Sequence, residues 1–185
     1  MKKTIGTTAL SLVIFLCLFV NSCTSDNDVI TEENINLAPK NDFTNQPVYD
    51  IIAITDGDTV KLSIDGKSTT VRLIGIDTPE TVDPRKPVEY YGKEASQFTT
   101  NLLKGEQVYL EQEPNTTDKY GRSLYYLYRV PDGLFVNLEI VRQGYGHAYT
   151  TYPFKYMGLF LEYENKAREN CKGLWSGPPP PFYCE

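Results

Sequence analysis

The sequence predicts an α+β domain: a small barrel of five strands accompanied by three helices. Three observations carry that expectation. Three β-rich runs follow one another between residues 48 and 77, two more lie between 107 and 130, and helical periodicity appears once between those sets and twice after them. At 185 residues and 41% hydrophobic content the chain has room for one packed core with a leader and a tail.

The elements follow in order. VYDIIAIT (48–55), TVKLSID (59–65) and TTVRLIGID (69–77) are rich in β-branched residues, and Asp-Gly pairs at Asp56-Gly57 and Asp65-Gly66 divide them. They predict three antiparallel strands. Ala95, Phe98, Leu102 and Leu103 then recur at helical spacing over 91–103, and Gly105 ends the segment. QVYLEQE (107–113) and RSLYYLYRV (122–130) alternate as strands across a polar loop containing Pro114, Asn115, Thr116 and Thr117. VNLEIVRQG (136–144) predicts a short helix with Val136, Ile140 and Val141 on one face. A longer helix over 155–170 carries Leu159, Tyr163 and Ala167 at i, i+4, i+8. Leu174 and Trp175 are expected to close the core. Five strands with a helix between the third and fourth match the Greek-key OB-fold barrel.

The ends are different in kind. Residues 1–22 have the form of an export signal: Lys2 and Lys3 give a basic start, and the run from Ile5 to Val20 is mostly apolar. Val20-Asn21-Ser22-Cys23 resembles the lipobox of bacterial lipoproteins, which makes Cys23 the candidate lipidation site and a membrane the partner of its lipid anchor. The expected location is the cell envelope or surface, or otherwise the medium; an uncleaved membrane anchor is the alternative. Residues 23–46 are polar and acidic and predict a solvated linker, residues 47–176 the domain, and residues 177–185 a Pro-rich tail. With Cys17 in the leader and Cys23 a lipid site, Cys171 and Cys184 remain as an even pair in an oxidising compartment. Either they form a disulfide that pins the tail, or both are free thiols.

The formal net charge is −6, and loss of Lys2 and Lys3 with the leader makes the remainder more acidic. Bulk attraction to nucleic acid is therefore excluded as a driving force, and an anionic ligand has to be captured by a local patch.

Three segments set charged residues among apolar ones: TDGDTV (55–60), RLIGIDTPE (72–80) and TDKYGRSLYY (117–126). A charge in an apolar setting is costly unless it is paired or bound to a metal. Each segment falls at a strand end or turn, and such ends converge in a small barrel. Asp58, Asp77 and the carbonyl of Thr78 form a hard, oxygen-only donor set suited to Ca²⁺. Arg72 and Arg122 offer guanidinium forks for a phosphate. Glu80 is placed to take a proton from an attacking water. Each motif also has a plain reading, as an Asp-Gly turn, a cross-turn ion pair or a solvated hairpin; their joint occurrence favours phosphodiester chemistry.

These same segments resemble the staphylococcal nuclease (thermonuclease) family, in DGDTV, RL-x3-DTPE, YG-x-EAS-x-F, TDKYGR, VN-x-x-[IL]VRQG and a closing LW, over residues 48–175. The resemblance implies an OB-fold barrel with three helices, Ca²⁺ as cofactor, and hydrolysis of DNA and RNA to 3′-phosphate products. It implies Asp58, Asp77 and Thr78 as calcium ligands, Arg72 and Arg122 as phosphate clamps and Glu80 as base, with Asp56 and Asp118 as supporting acids. Tyr120 matches a tyrosine beside the phosphate. Tyr149 and Tyr152 answer to paired base-flanking tyrosines, although they stand three apart here rather than two. Arg85, Lys86 and Lys119, with Lys93, would form a local basic rim.

Competing classes are thinned by composition. His147 is the only histidine, so mechanisms needing two within one chain are excluded, and no G-x-S-x-G is present. A carboxylate-pair glycosidase remains open on paper, but two arginines favour phosphate over a neutral sugar. A catalytically weak binding module on the same barrel is the alternative function; a monomer is expected in either case.

Overall fold

The computed structural model describes residues 42–85, 87–130 and 132–177. The readings of the leader, of Cys23, of Lys86 and of Cys184 fall outside these residues. Strands β1 (Tyr49–Asp56), β2 (Thr59–Ile64), β3 (Lys67–Leu73), β5 (Gln107–Glu111) and β6 (Ser123–Val130) close a barrel in the order β1-β2-β3-β6-β5, with β5 returning to β1. A short antiparallel pair, β4 (Ile76–Asp77) with β7 (His147–Ala148), stands beside it. Helices α1 (Gly92–Leu103), α2 (Val136–Arg142) and α3 (Met157–Glu169) complete the predicted three, and a 3₁₀ turn at Gly173–Ser176 follows. The α+β OB-fold expectation holds.

Alternation explains the core. On β2, Val60 and Leu62 are fully buried while Lys61 between them is exposed, and on β3 Val71 and Leu73 point inward on either side of the half-buried Arg72. Val108, Leu127, Val136, Ile140 and Phe160 fill the remaining space. Each such side chain stabilises by about 1.5–3 kcal/mol on burial. The β3–β6 contact is parallel, whereas the other barrel pairings are antiparallel, and it sets Arg72 opposite Leu124. Among the described residues no helix is long and apolar enough to cross a membrane.

The third predicted strand is not continuous. It breaks after Leu73 and resumes at Ile76, because Gly75 adopts φ +80° and a β-carbon there would lie 2.6 Å from the Phe154 ring. The break is held by the buried Asn137 of α2. Its amide nitrogen donates to the carbonyls of Ile74 (3.0 Å) and Tyr125 (3.2 Å), and its oxygen accepts from the Leu127 N–H (2.9 Å). The bend re-aims Asp77 and Thr78 across the barrel rim instead of along β3.

Candidate active site

The Asp56-Gly57-Asp58 turn joins β1 to β2, and α1 fixes it from behind: the buried Thr99 hydroxyl donates to the Gly57 carbonyl at 2.7 Å. A β-carbon on Gly57 would stand 2.8 Å from the Thr78 hydroxyl, so glycine is what allows the turn to meet the bend after β4. Across that contact Asp58 Oδ2 accepts from the Thr78 N–H (3.0 Å) and hydroxyl (3.1 Å), and Oδ1 from the Thr59 hydroxyl (2.9 Å).

Arg72, on β3, bridges the acids. Its Nη1 lies 2.5 Å from Asp58 Oδ2 and its Nη2 donates to Asp77 Oδ1 at 2.9 Å. The Asp58 side chain is 9% exposed and that of Asp77 55%, so one acid is anchored and the other faces the solvent. Burial lifts the Asp77 carboxyl above the ordinary carboxylate range against the pull of Arg72, and the negative charge of Asp58 adds to the lift. Burial also lifts Asp56, and the charges of Asp58 and Glu80 push the same way. Asp56 is held by Thr81, whose hydroxyl donates to its Oδ1 at 2.7 Å.

Glu80 belongs to the same corner through Asp56, but its carboxylate is occupied by its own loop. Oε1 accepts the N–H groups of Val82 (2.7 Å) and Asp83 (3.1 Å). The Val82 bond is the main reason its pKa lies below the ordinary glutamate value. The loop is cinched by Glu89, whose carboxylate accepts the Glu80 N–H and whose N–H donates to the Glu80 carbonyl, both at 3.0 Å.

The third segment forms a separate rim. Asp118 Oδ1 accepts the N–H groups of Tyr120 and Arg122, both at 2.9 Å, and Oδ2 accepts Arg122 Nε at 2.7 Å. These bonds outweigh the upward pull of burial and hold the Asp118 carboxyl low. Asp118 thus orients Arg122 rather than supporting the acids of the corner. Val71 pairs with Ser123 and Arg72 with Leu124, so Arg122, immediately before β6, stands close in register to Arg72. Tyr120 is 72% exposed, with Lys119 Nζ 5.0 Å and Arg122 Cζ 5.5 Å from its ring centre. Tyr149 and Tyr152 lie 6.2 Å apart centre to centre, and their hydroxyls, like that of Tyr120, act electrostatically on Lys119. Arg85 makes a fork on Asp83 (2.8 and 2.9 Å) and also feels Tyr120.

Direct bonds therefore join Asp58, Arg72, Asp77 and Thr78, with Asp56 and Glu80 on their flank; Arg85, Lys119, Tyr120, Tyr149 and Tyr152 cluster as a neighbouring basic-aromatic rim that includes Arg122. Sequence reasoning missed Thr81, Thr99, Asn137 and Glu89, which position the acids, and His147, which pairs with Asp77 across β4 and β7. Asn137 lay within the VN-x-x-[IL]VRQG motif and Thr81 directly after DTPE; nothing local marked Thr99 or Glu89.

An OB-fold barrel with two acids bridged by Arg72 and a basic-aromatic rim beside them suits a phosphate-handling protein, and the comparisons with known proteins narrow the class. The family described as Staphylococcal nuclease homologue matches residues 70–177, a stretch that starts beyond Asp56 and Asp58. The chain belongs to the staphylococcal nuclease family, and its class of activity is that of a hydrolase, a nuclease. It is 38% identical over 133 residues to the thermonuclease of Staphylococcus hyicus, covering 71% of this chain and 78% of that protein. It is 40% identical over 129 residues to the thermonuclease of Staphylococcus intermedius, covering 69% and 75%. With endonuclease YncB of Bacillus subtilis (strain 168) it shares 37% over 124 residues, 65% of this chain and 58% of the relative.

Proposed function

We propose that the protein is an exported, calcium-dependent nuclease that hydrolyses phosphodiester bonds of DNA and/or RNA and leaves 3′-phosphate ends. The observation that carries this reading is the bridge of Arg72 between Asp58 and Asp77. Two acids aimed at one guanidinium, with Asp56 and Glu80 beside them, form a corner rich in hard oxygen donors and short of positive charge. Among the described residues no group of three or more His, Cys, Asp or Glu side chains is arranged to hold a metal, so the donor set at this corner is two carboxylates and a backbone carbonyl. The donor chemistry fits Ca²⁺, which Asp58, Asp77 and the Thr78 carbonyl would hold, with water completing the set. When bound, the ion supplies positive charge beside the phosphate.

The chain's own residues do the rest. Arg72 Nε makes no bond among the described residues and, with Arg122, is available to a phosphate oxygen; donors of this kind are each worth about 2.7–4 kcal/mol of transition-state stabilisation. Glu80, held anionic at neutral pH, would accept a proton from the attacking water. The bond from phosphorus to the 5′-oxygen breaks, and that oxygen takes a proton from Arg122 or from solvent. Because an arginine with pKa above about 12 is a reluctant acid, binding the transition state is its first role. Tyr120, Tyr149, Tyr152, Arg85, Lys86 and Lys119 would receive the strand beside the cleft.

Export and a lipid anchor at Cys23 rest on the leader sequence and belong to the same proposal, as does a monomeric state. The test is incubation of the exported form with DNA and with RNA, in Ca²⁺ and then in chelator, with end-group analysis of the products. The reading expects Ca²⁺-dependent cleavage with 3′-phosphate ends, abolished in Glu80→Gln. Cleavage insensitive to chelator would remove the metal, and binding without turnover would favour a scaffold.

A further inference from the structure

The bend that presents Asp77 and Thr78 is held from two sides. On the barrel side its partners are Arg72 and Asp58. On the other side stands β7, whose pairing with β4 is only two residues long: Ile76 with Ala148 and Asp77 with His147. A ladder that short does not hold itself in water, so its geometry follows whatever fixes β7. The contact with the bend is close. The Tyr149 N–H donates to the Gly75 carbonyl at 2.9 Å, and a β-carbon on Gly146 would stand 3.1 Å from Thr78 Cγ2 and 3.3 Å from the Asp77 carbonyl oxygen. A displacement of β7 therefore displaces Asp77 and Thr78.

Side chains of α3 and of the 3₁₀ turn fix β7 through its histidine. The Glu164 side chain is 8% exposed; its Oε1 lies 3.3 Å from His147 Nδ1 and accepts from Arg168 Nη2 at 3.0 Å. Burial raises the Glu164 carboxyl, but the bonds from His147 and Arg168 prevail and hold it below the ordinary glutamate value. An ionised carboxylate only accepts, so Nδ1 carries the proton of that bond. Trp175, in the turn, meets the His147 ring edge-on at 5.1 Å, and the Arg168 guanidinium lies over the Trp175 ring at 4.1 Å. The approach to β7 is tied to the same turn, because the Leu174 N–H donates to the Gly144 carbonyl at 2.8 Å.

We propose that His147 and Glu164 are positioning residues for the metal corner: their pair locks β7, and β7 in turn sets where Asp77 and the Thr78 carbonyl stand. This role rests on the reading of the corner as a calcium site, and it occupies the only histidine of the chain, which the chemistry of the corner does not use. Groups that orient a metal's ligands from one layer out are typically worth about 10–100-fold in affinity, because they fix the ligand atoms before the ion arrives. The pair makes no claim on the ion itself. It acts through the backbone of β4 and β7.

The test compares the chain without residues 1–22 with its Glu164→Ala and His147→Leu variants, with the two combined, and with His147→Asn, whose amide can donate in place of Nδ1. Ca²⁺ is titrated calorimetrically, and the Asp77 and Thr78 amide signals are followed by NMR in ion-free protein. Glu164→Ala and His147→Leu should each weaken Ca²⁺ binding about 10-fold, and His147→Asn should recover most of the loss. Because the two residues act as one unit, the double variant should bind no more weakly than His147→Leu alone. Glu164→Ala should also shift the Asp77 and Thr78 amides without any ion. Glu162→Ala, at an exposed position of the same helix, should change neither readout. Losses that multiply in the double variant, Asp77 and Thr78 signals unmoved by Glu164→Ala, or His147→Asn as weak as His147→Leu would overturn the proposal. The His147 side chain is 45% exposed, so should Glu164→Ala fail to fold, the two His147 variants decide alone. A wild type that binds no Ca²⁺ would remove the calcium reading instead, and the amide signals would still judge the positioning.

Discussion

Glu111 on β5 is a largely buried carboxylate and Asp77 on β4, beside the barrel, a more exposed one, and their surroundings treat them oppositely. Around Glu111 the protein supplies every partner: Lys155 Nζ at 2.6 Å, the Tyr128 hydroxyl at 2.7 Å and the Tyr156 hydroxyl at 2.9 Å. Burial works to raise its pKa, but these bonds prevail and hold it low. The Tyr126 hydroxyl and the Lys155 N–H donate to the neighbouring Glu113. Around Asp77 the only ion-pair partner among the described residues is Arg72, which is shared with Asp58, and burial keeps the carboxyl high. A cluster completed by its own donors ties α3 to the barrel and needs nothing further. A cluster left short of positive charge is where an outside cation and a phosphate group would be most strongly favoured.

The sharpest way to break this contrast is Arg72→Ala. It strips the corner of its one bonded cation, and loss of a buried partner typically costs about 3–5 kcal/mol. We expect a large fall in the urea midpoint, partly restored by Ca²⁺, and a loss of kcat/KM of at least about 10²-fold in a cleavage assay. Glu111→Gln should separate stability from activity. It should cost about 1–3 kcal/mol by leaving Lys155 and two hydroxyls poorly paired, with kcat per folded molecule unchanged.

Acid titration sharpens the same contrast. Glu111 and Glu164 both have folded pKa values below the ordinary one; for Glu164, burial is outweighed by bonds from His147 and Arg168. A depressed carboxyl contributes stability that is present above its unfolded pKa and lost as pH falls through its folded value. The urea midpoint should therefore decline from about pH 4.5 downward, and the decline should be shallower in Glu111→Gln. The smallest effect on stability belongs to Tyr120→Ala. The ring is exposed, so the midpoint should move by less than about 0.5 kcal/mol. Affinity for a single-stranded oligonucleotide should fall by about 1–3 kcal/mol if the ring stacks a base.

The contrast also explains what could be read from the chain. Asp58, Arg72, Asp77 and Glu80 stood out because ionised side chains among Val, Leu and Ile have few explanations, and the helices announced themselves by their period. The interruption of the third strand was masked by its unbroken apolar pattern; only the φ of Gly75 and the packing of Phe154 reveal it. Asn137, Thr99 and Thr81 were illegible for a different reason. Their partners lie 63, 42 and 25 positions away, beyond any local pattern. Arg122 was expected beside the acids, but the nearby Asp118 takes its Nε, and only the parallel β3–β6 register shows that it stands close to Arg72 along the sheet.

The central claim is that the Asp58–Arg72–Asp77 corner is completed by a divalent cation. Calorimetric titration of Ca²⁺ into the chain without residues 1–22, and into its Asp77→Asn and Glu111→Gln variants, tests it most directly. The account predicts one saturable site in the wild type, its loss in Asp77→Asn and its retention in Glu111→Gln. Equal Ca²⁺ affinity in the wild type and Asp77→Asn would contradict it.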